Sequence, residues 1–168
     1  MENRLDFTET ELNEVSGRMS LAEALQVRAD IKTEIAQLHS RLNDNAKVQE
    51  GENPAEDPMR LTALLSAKCA AFETIVRRIN LTNASTVFEG KTITDLLARR
   101  DALSLETSIL RDFLQQASQR VDRYSKTEIK ILSSVDVTAM QKTVDAKSKE
   151  LRQLDATIQK LNWNTELV

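Results

Sequence analysis

One cysteine and one histidine leave this chain short of the side chains that most metal and nucleophilic sites require. A lone cysteine excludes an internal disulfide framework. With one histidine beside it, the Cys/His clusters that hold zinc are excluded too. Cys69 falls in a helical stretch among Leu65, Lys68 and Phe72 and reads as a small buried or half-buried thiol. A catalytic thiol needs a base, and no local spacing ties His39 to it.

Other scarcities narrow the fold. Three glycines, two prolines and 4% aromatic residues argue against a sandwich or a doubly wound sheet. No glycine-rich loop precedes a Lys-Ser or Lys-Thr pair, and the Rossmann glycine pattern is missing. No apolar run is long enough to cross a bilayer, so no membrane is expected. The first residues lack the basic start and apolar stretch of a secretory signal, which makes the cytoplasm the expected compartment. Neither sign of charge prevails. The net charge of -3 comes from Glu2, Asp6, Glu9, Glu11 and Glu14 against Arg4 and Arg18, so the rest of the chain is neutral. That is not the basic footprint of a nucleic-acid binder, and no aromatics interleave with basic residues to stack bases.

What remains is helix. Apolar residues recur at three- and four-residue steps over Leu21–Asn45, Pro58–Thr82, Ile93–Val121 and Val137–Leu161. The pattern predicts a mainly α protein: an elongated antiparallel bundle of four long helices with coiled-coil-like packing and a small β-hairpin. Residues 1–19 read as an N-terminal extension, a flexible or docking arm, and residues 20–168 as a single helical domain.

Local signals set the boundaries. Ser20-Leu21-Ala22-Glu23 is a capping box. Gly51 and Pro54 break an acidic connection over residues 47–57, whose spacing does not fit an EF-hand. Asp57 then suits an N-cap and Pro58 a first helical position. Asn80-Leu81-Thr82-Asn83 is read as the end of the second helix. Val87-Phe88 and Lys91-Thr92-Ile93 flank Glu89-Gly90 and predict a hairpin, with Ile129-Lys130-Ile131-Leu132 as a further strand pairing with it. Thr92 or Thr94 caps the third helix, and Ser134 or Asp136 the fourth. Trp163 is expected to pack on a helix end or a partner subunit.

Each apolar stripe carries an interruption: Arg28, Lys68, Arg100 with Thr107, and Lys147. Long basic stems can snorkel off a seam. The densest polar patches are Asn80 and Asn83 near the end of helix two, Asp95 and Arg99 at the start of helix three, and Arg120, Asp122, Arg123, Tyr124 and Lys130 beyond it. These are the candidate ligand-binding residues. The last group, rich in arginine, suits a phosphate or an acidic partner as well as a structural ion-pair network. No catalytic residue, metal ligand or cofactor is predicted.

Several segments resemble the septicolysin-like family of small helical bacterial proteins. They include Leu21-Ala22-Glu23-Ala24-Leu25, Asn45-Ala46-Lys47-Val48-Gln49-Glu50-Gly51-Glu52 and Pro54-Ala55-Glu56-Asp57-Pro58. Further on come Ile79-Asn80-Leu81-Thr82-Asn83, Asp95-Leu96-Leu97-Ala98-Arg99-Arg100-Asp101, Ala117 to Ser125 and Asn162-Trp163-Asn164-Thr165. The resemblance covers residues 20–168. It implies a family label without an established activity, and its cytolysin name finds no export signal or membrane-inserting strand here. The leading expectation is a structural or protein-interaction module that self-associates, with leftover apolar residues such as Leu97, Ile109 and Phe113 as working surface. Anionic-ligand or nucleic-acid binding through Arg120–Lys130 is the alternative, with nucleic acid ranked below a protein partner. An enzyme and a membrane-acting cytolysin rank lower still.

Overall fold

In the structure, a computed structural model that describes residues 9, 12–13, 15–119 and 132–168, each long helix begins where its sequence supplies a cap. Helix α1 spans Leu21–Asp44. Ser20 Oγ accepts from the Glu23 amide at 3.2 Å, and Glu23 Oε2 accepts from the Ser20 amide at 2.7 Å. Helix α2 spans Pro58–Ser85, with Asp57 Oδ1 accepting from the Met59 amide at 2.9 Å. Strands β1 (Val87–Phe88) and β2 (Lys91–Thr92) form a two-stranded sheet. Its turn residues Glu89 and Gly90 have φ of 50° and 77°. Positive φ at both central positions is the turn that matches strand twist, and glycine takes it without steric cost. Helix α3 (Ile93–Ser118) is capped by Thr92 in a second capping box with Asp95. Helix α4 spans Val137–Asn164, and Asp136 Oδ1 accepts from the Thr138 and Ala139 amides at 2.9 and 3.0 Å. The protein is thus mainly helical with a small sheet, as its periodicity predicts.

The chain forms two compact units: residues up to Phe88 with Leu161–Val168, and Glu89–Lys160. In the first, α1 and α2 run antiparallel. Glu34 meets Lys68 at 2.6 Å, and Arg41, further along α1, pairs with Glu56, which precedes α2. Buried Asn45 closes the corner: its Nδ2 donates to Arg41 O and its Oδ1 accepts from the Glu56 amide, both at 2.9 Å. Leu21, Ala24, Ile31 and Leu38 from α1 are buried, as are Leu61, Ala67, Ala71, Ile75 and Ile79 from α2.

The ends of this unit are tied together. Ser20 bridges Glu166 in antiparallel fashion, with Leu21 N donating to Thr165 O at 2.8 Å and Leu167 N to Met19 O at 2.9 Å. Arg78 of α2 sits at the junction. Its guanidinium donates to Val15 O, to Gly17 O at 3.1 Å, to Val168 O at 3.1 Å and to Leu167 O at 3.4 Å. Fully buried Thr82 joins it, its Oγ1 donating to Arg78 O at 2.9 Å and accepting from the Val168 amide at 3.0 Å. Val15 is fully buried, so this part of the N-terminal segment packs within the unit.

In the second unit α3 and the facing part of α4 are also antiparallel. Arg99 pairs with Glu150, and Glu106, two turns on, with Lys147 at 2.8 Å. Leu96, Leu103, Thr107 and Leu114 form the buried line of α3, and Val144, Ser148 and Ile158 that of α4. Thr107 interrupts the stripe without an orphaned hydroxyl, because its Oγ1 donates to Leu103 O at 2.7 Å.

Three sequence readings are corrected. Helix α2 does not stop at Thr82 but continues to Ser85. Thr82 bonds back to the carbonyl four residues earlier instead of capping the end. Cys69 is exposed, not buried. It lies two residues from both Ala67 and Ala71 on the buried line, and a two-residue step turns a helix by about 200°. Helix α3 ends at Ser118, with Gln119 as its C-cap, earlier than the Val121 expected. The further strand proposed at Ile129–Leu132 falls outside the described residues except for Leu132, which is exposed and in no strand. Trp163, expected against a helix end or a partner, is 68% exposed.

Candidate functional site

The predicted ligand-binding residues meet different fates. Asn80 and Asn83 both lie inside α2, one turn apart, Asn80 exposed and Asn83 half-buried. Asp95 and Arg99 likewise lie one turn apart on α3, and each is engaged structurally. Asp95 Oδ2 accepts from Thr92 Oγ1 at 2.7 Å and from the Thr92 amide at 2.9 Å, and these bonds hold its carboxyl below the usual range. Arg99 is paired with Glu150. Arg120, Asp122, Arg123, Tyr124 and Lys130 lie outside the described residues.

The basic interruptions resolve individually. Lys68, with its side chain 12% exposed, reaches Glu34, and Lys147 reaches Glu106, each on the facing helix. Arg100 bonds its neighbour Asp101 at 2.6 Å, and Arg28 is exposed. Each of the two lysines thus meets an acid on the facing helix.

Among the described residues, three hollows carry polar side chains. One, of about 430 Å³, lies at the α1–α2 corner, where the Arg41 fork holds Glu56 and keeps its carboxyl below the usual range. A shallow one of about 330 Å³ lies beside Trp163, where Glu166 is held low in pKa by hydrogen bonding to Arg18. The third, about 520 Å³, is a groove between α3 and α4 lined by Arg111, Gln115, Ser118, Gln141, Asp145, Ser148 and Arg152 among others. Neither Cys69 nor His39 lines any of them.

The sequence reading missed this groove. Its signal was present as a polar stripe at 111, 115 and 118 on one helix and at 141, 145, 148 and 152 on the other, both at helical spacing. Among the described residues no group of three or more His, Cys, Asp or Glu side chains is placed to hold a metal ion. No described helix is long and apolar enough to cross a membrane.

One more surface stands out. On α3, Leu105, Ile109 and Phe113 recur every four residues and are 64%, 58% and 41% exposed. They lie away from the buried Leu103–Thr107–Leu114 line.

These features define a mainly helical protein with polar hollows and an exposed apolar helix face. Residues 28–167 match the family of unknown function DUF6847, and the chain belongs to that family. It is also similar to a functionally unknown conserved protein from Corynebacterium diphtheriae, known from a crystal structure. The two are 42% identical with a TM-score of 0.81, over 90% of this chain and 100% of that one. No curated protein matches. The family description leaves function open, and the septicolysin-like label is not shown by these comparisons.

Proposed function

We propose that this protein is a structural or protein-interaction module that associates with a second copy of itself through the exposed face of α3. The observation that carries the reading is the Leu105–Ile109–Phe113 stripe, three large apolar side chains turned to solvent on one helix. Scattered surface hydrophobics need no explanation, but an aligned set forms a patch. The stripe is self-complementary. An antiparallel pairing about a two-fold axis near Ile109 sets Leu105 of each copy against Phe113 of the other, the isologous arrangement usual for homodimers. Its length along the helix is about 12 Å. That is well short of the area of a tight interface, so association is expected to be weak.

Light scattering and sedimentation across micromolar to hundred-micromolar protein test the reading. The wild-type chain should show concentration-dependent association. A Leu105→Glu, Ile109→Glu double variant should remain monomeric with an unchanged helical spectrum, since both positions are exposed. A wild-type monomer throughout the range refutes it.

The alternative, an anionic-ligand or nucleic-acid site over Arg120–Lys130, draws support from four bases against two acids in that stretch. Salt-sensitive binding lost on neutralising Arg120 and Arg123 would move the function there. The septicolysin-like resemblance supplies no cytolytic proposal, because the matched family is described only as of unknown function.

A further inference from the structure

We propose, beyond the self-association reading, that the α3–α4 groove binds a small organic phosphate whose phosphoryl group is held by Arg111 and Arg152. Arg111 Nη2 donates to Ser148 Oγ at 2.8 Å, and Ser148 Oγ in turn donates to Val144 O at 2.6 Å. Ser148 is 7% exposed, so a buried hydroxyl fixed on its helix orients the guanidinium. That bond uses one of five donors on the fork. Arg152 stands one turn beyond Ser148 and lines the same groove. Neither arginine forms an ion pair among the described residues. A carboxylate is nevertheless close: Asp145 lines the groove, but its Oδ1 accepts from Gln141 Nε2 at 2.9 Å. Both guanidiniums thus line one groove, and among the described residues the only acid lining it is Asp145.

The register gives the groove a polarity. The Arg111–Ser148 bond sets those residues level, and the helices run antiparallel. One turn along come Gln115 and Asp145, and two turns along Ser118 and Gln141. The cations collect at one end, while the acid and amides collect at the other. Two cations suit a dianionic phosphoryl group better than a monoanionic carboxylate. The opposite end offers acceptors to hydroxyl or amino groups on the organic part. The volume of about 520 Å³ suits a small metabolite-sized ligand.

The test is titration of inorganic phosphate, with acetate in parallel, followed by amide chemical shifts and calorimetry. Phosphate should bind in the millimolar range, move the amides around Arg111 and Ser148, and bind more tightly than acetate. Arg111→Gln and Arg152→Gln should each weaken phosphate about tenfold, the scale of a lost charge-assisted bond. Asp145→Asn should tighten it by a few fold, because a like charge leaves the groove. Lys32→Gln, on the exposed side of α1, should change nothing. Helical spectra of all variants control for folding. Absence of phosphate binding overturns the proposal. So does an equal loss in Lys32→Gln and the arginine variants, or a weakening in Asp145→Asn.

Discussion

Replacing Arg78 with methionine removes four hydrogen bonds at once while keeping an unbranched stem of related shape. Three of those bonds, to Val15, Gly17 and Val168, are well formed, and the fourth, to Leu167, is long at 3.4 Å. A hydrogen bond to a charged donor contributes roughly 1.5–3 kcal/mol, so simple addition over three would give about 4.5 kcal/mol or more. Addition overstates the loss, because the carbonyls share one donor group and those near solvent regain water. A loss of about 2–4 kcal/mol is expected. It should fall on the junction of the N-terminal segment with Thr165–Val168, because those carbonyls belong there. Hydrogen exchange reads this directly. The Leu167 amide, bonded to Met19 O, and the Leu21 amide, bonded to Thr165 O, should exchange roughly 30- to 1,000-fold faster. Amides at Ile31 and Ile75, mid-helix on buried lines, should change far less. Arg78→Lys should recover only part of the protection, since one ammonium cannot span carbonyls from two segments as a planar fork does. Wild-type exchange at Leu167 and Leu21 in Arg78→Met would refute the clasp.

Two further outcomes are expected. Ile75→Ala should lower stability by about 2–5 kcal/mol in chemical denaturation, because the fully buried side chain leaves a cavity between α1 and α2. Glu23, Glu56, Asp95 and Glu166 all have carboxyl groups held below their ordinary pKa by hydrogen bonds from Ser20, Arg41, Thr92 and Arg18 respectively. The unfolded chain therefore takes up protons first on acidification. Their stabilising effect is fully present above the ordinary carboxylate values and is lost as pH falls through the depressed folded values. Denaturation midpoints should fall below the ordinary carboxylate range, and Glu56→Gln should show a smaller drop.

Much of the fold could be read locally. Ser20 with Glu23, and Asp57 before Pro58, act within one turn of their helix, so their neighbours in sequence are their partners in space. The Glu89-Gly90 turn is legible for the same reason. Asn80–Asn83 misled because a threonine has two uses near a helix end. Thr82 is buried against the Val168 amide, 86 residues away, and α2 runs past it. On α2 the reading of Cys69 failed: grouped in the sequence with Leu65, Lys68 and Phe72, which are half-buried, it faces solvent. Burial there follows small residues, Ala67 and Ala71, which carry a weaker periodic signal than the larger Leu65 and Phe72. Site residues were harder still. Arg111 and Ser148 are 37 positions apart, and only the antiparallel register of α3 and α4 brings them together.

The exposure of Cys69 has a practical consequence. The sequence contains one thiol, and it lies on the solvent side of α2, away from the buried line of that helix. A maleimide dye or nitroxide should therefore attach at a single defined position in the native protein, without mutagenesis or loss of packing. Each copy then carries one reporter. Slower tumbling of the labelled chain, read as fluorescence anisotropy, would register self-association at concentrations where scattering is weak, and titration with unlabelled chain would trace its concentration dependence.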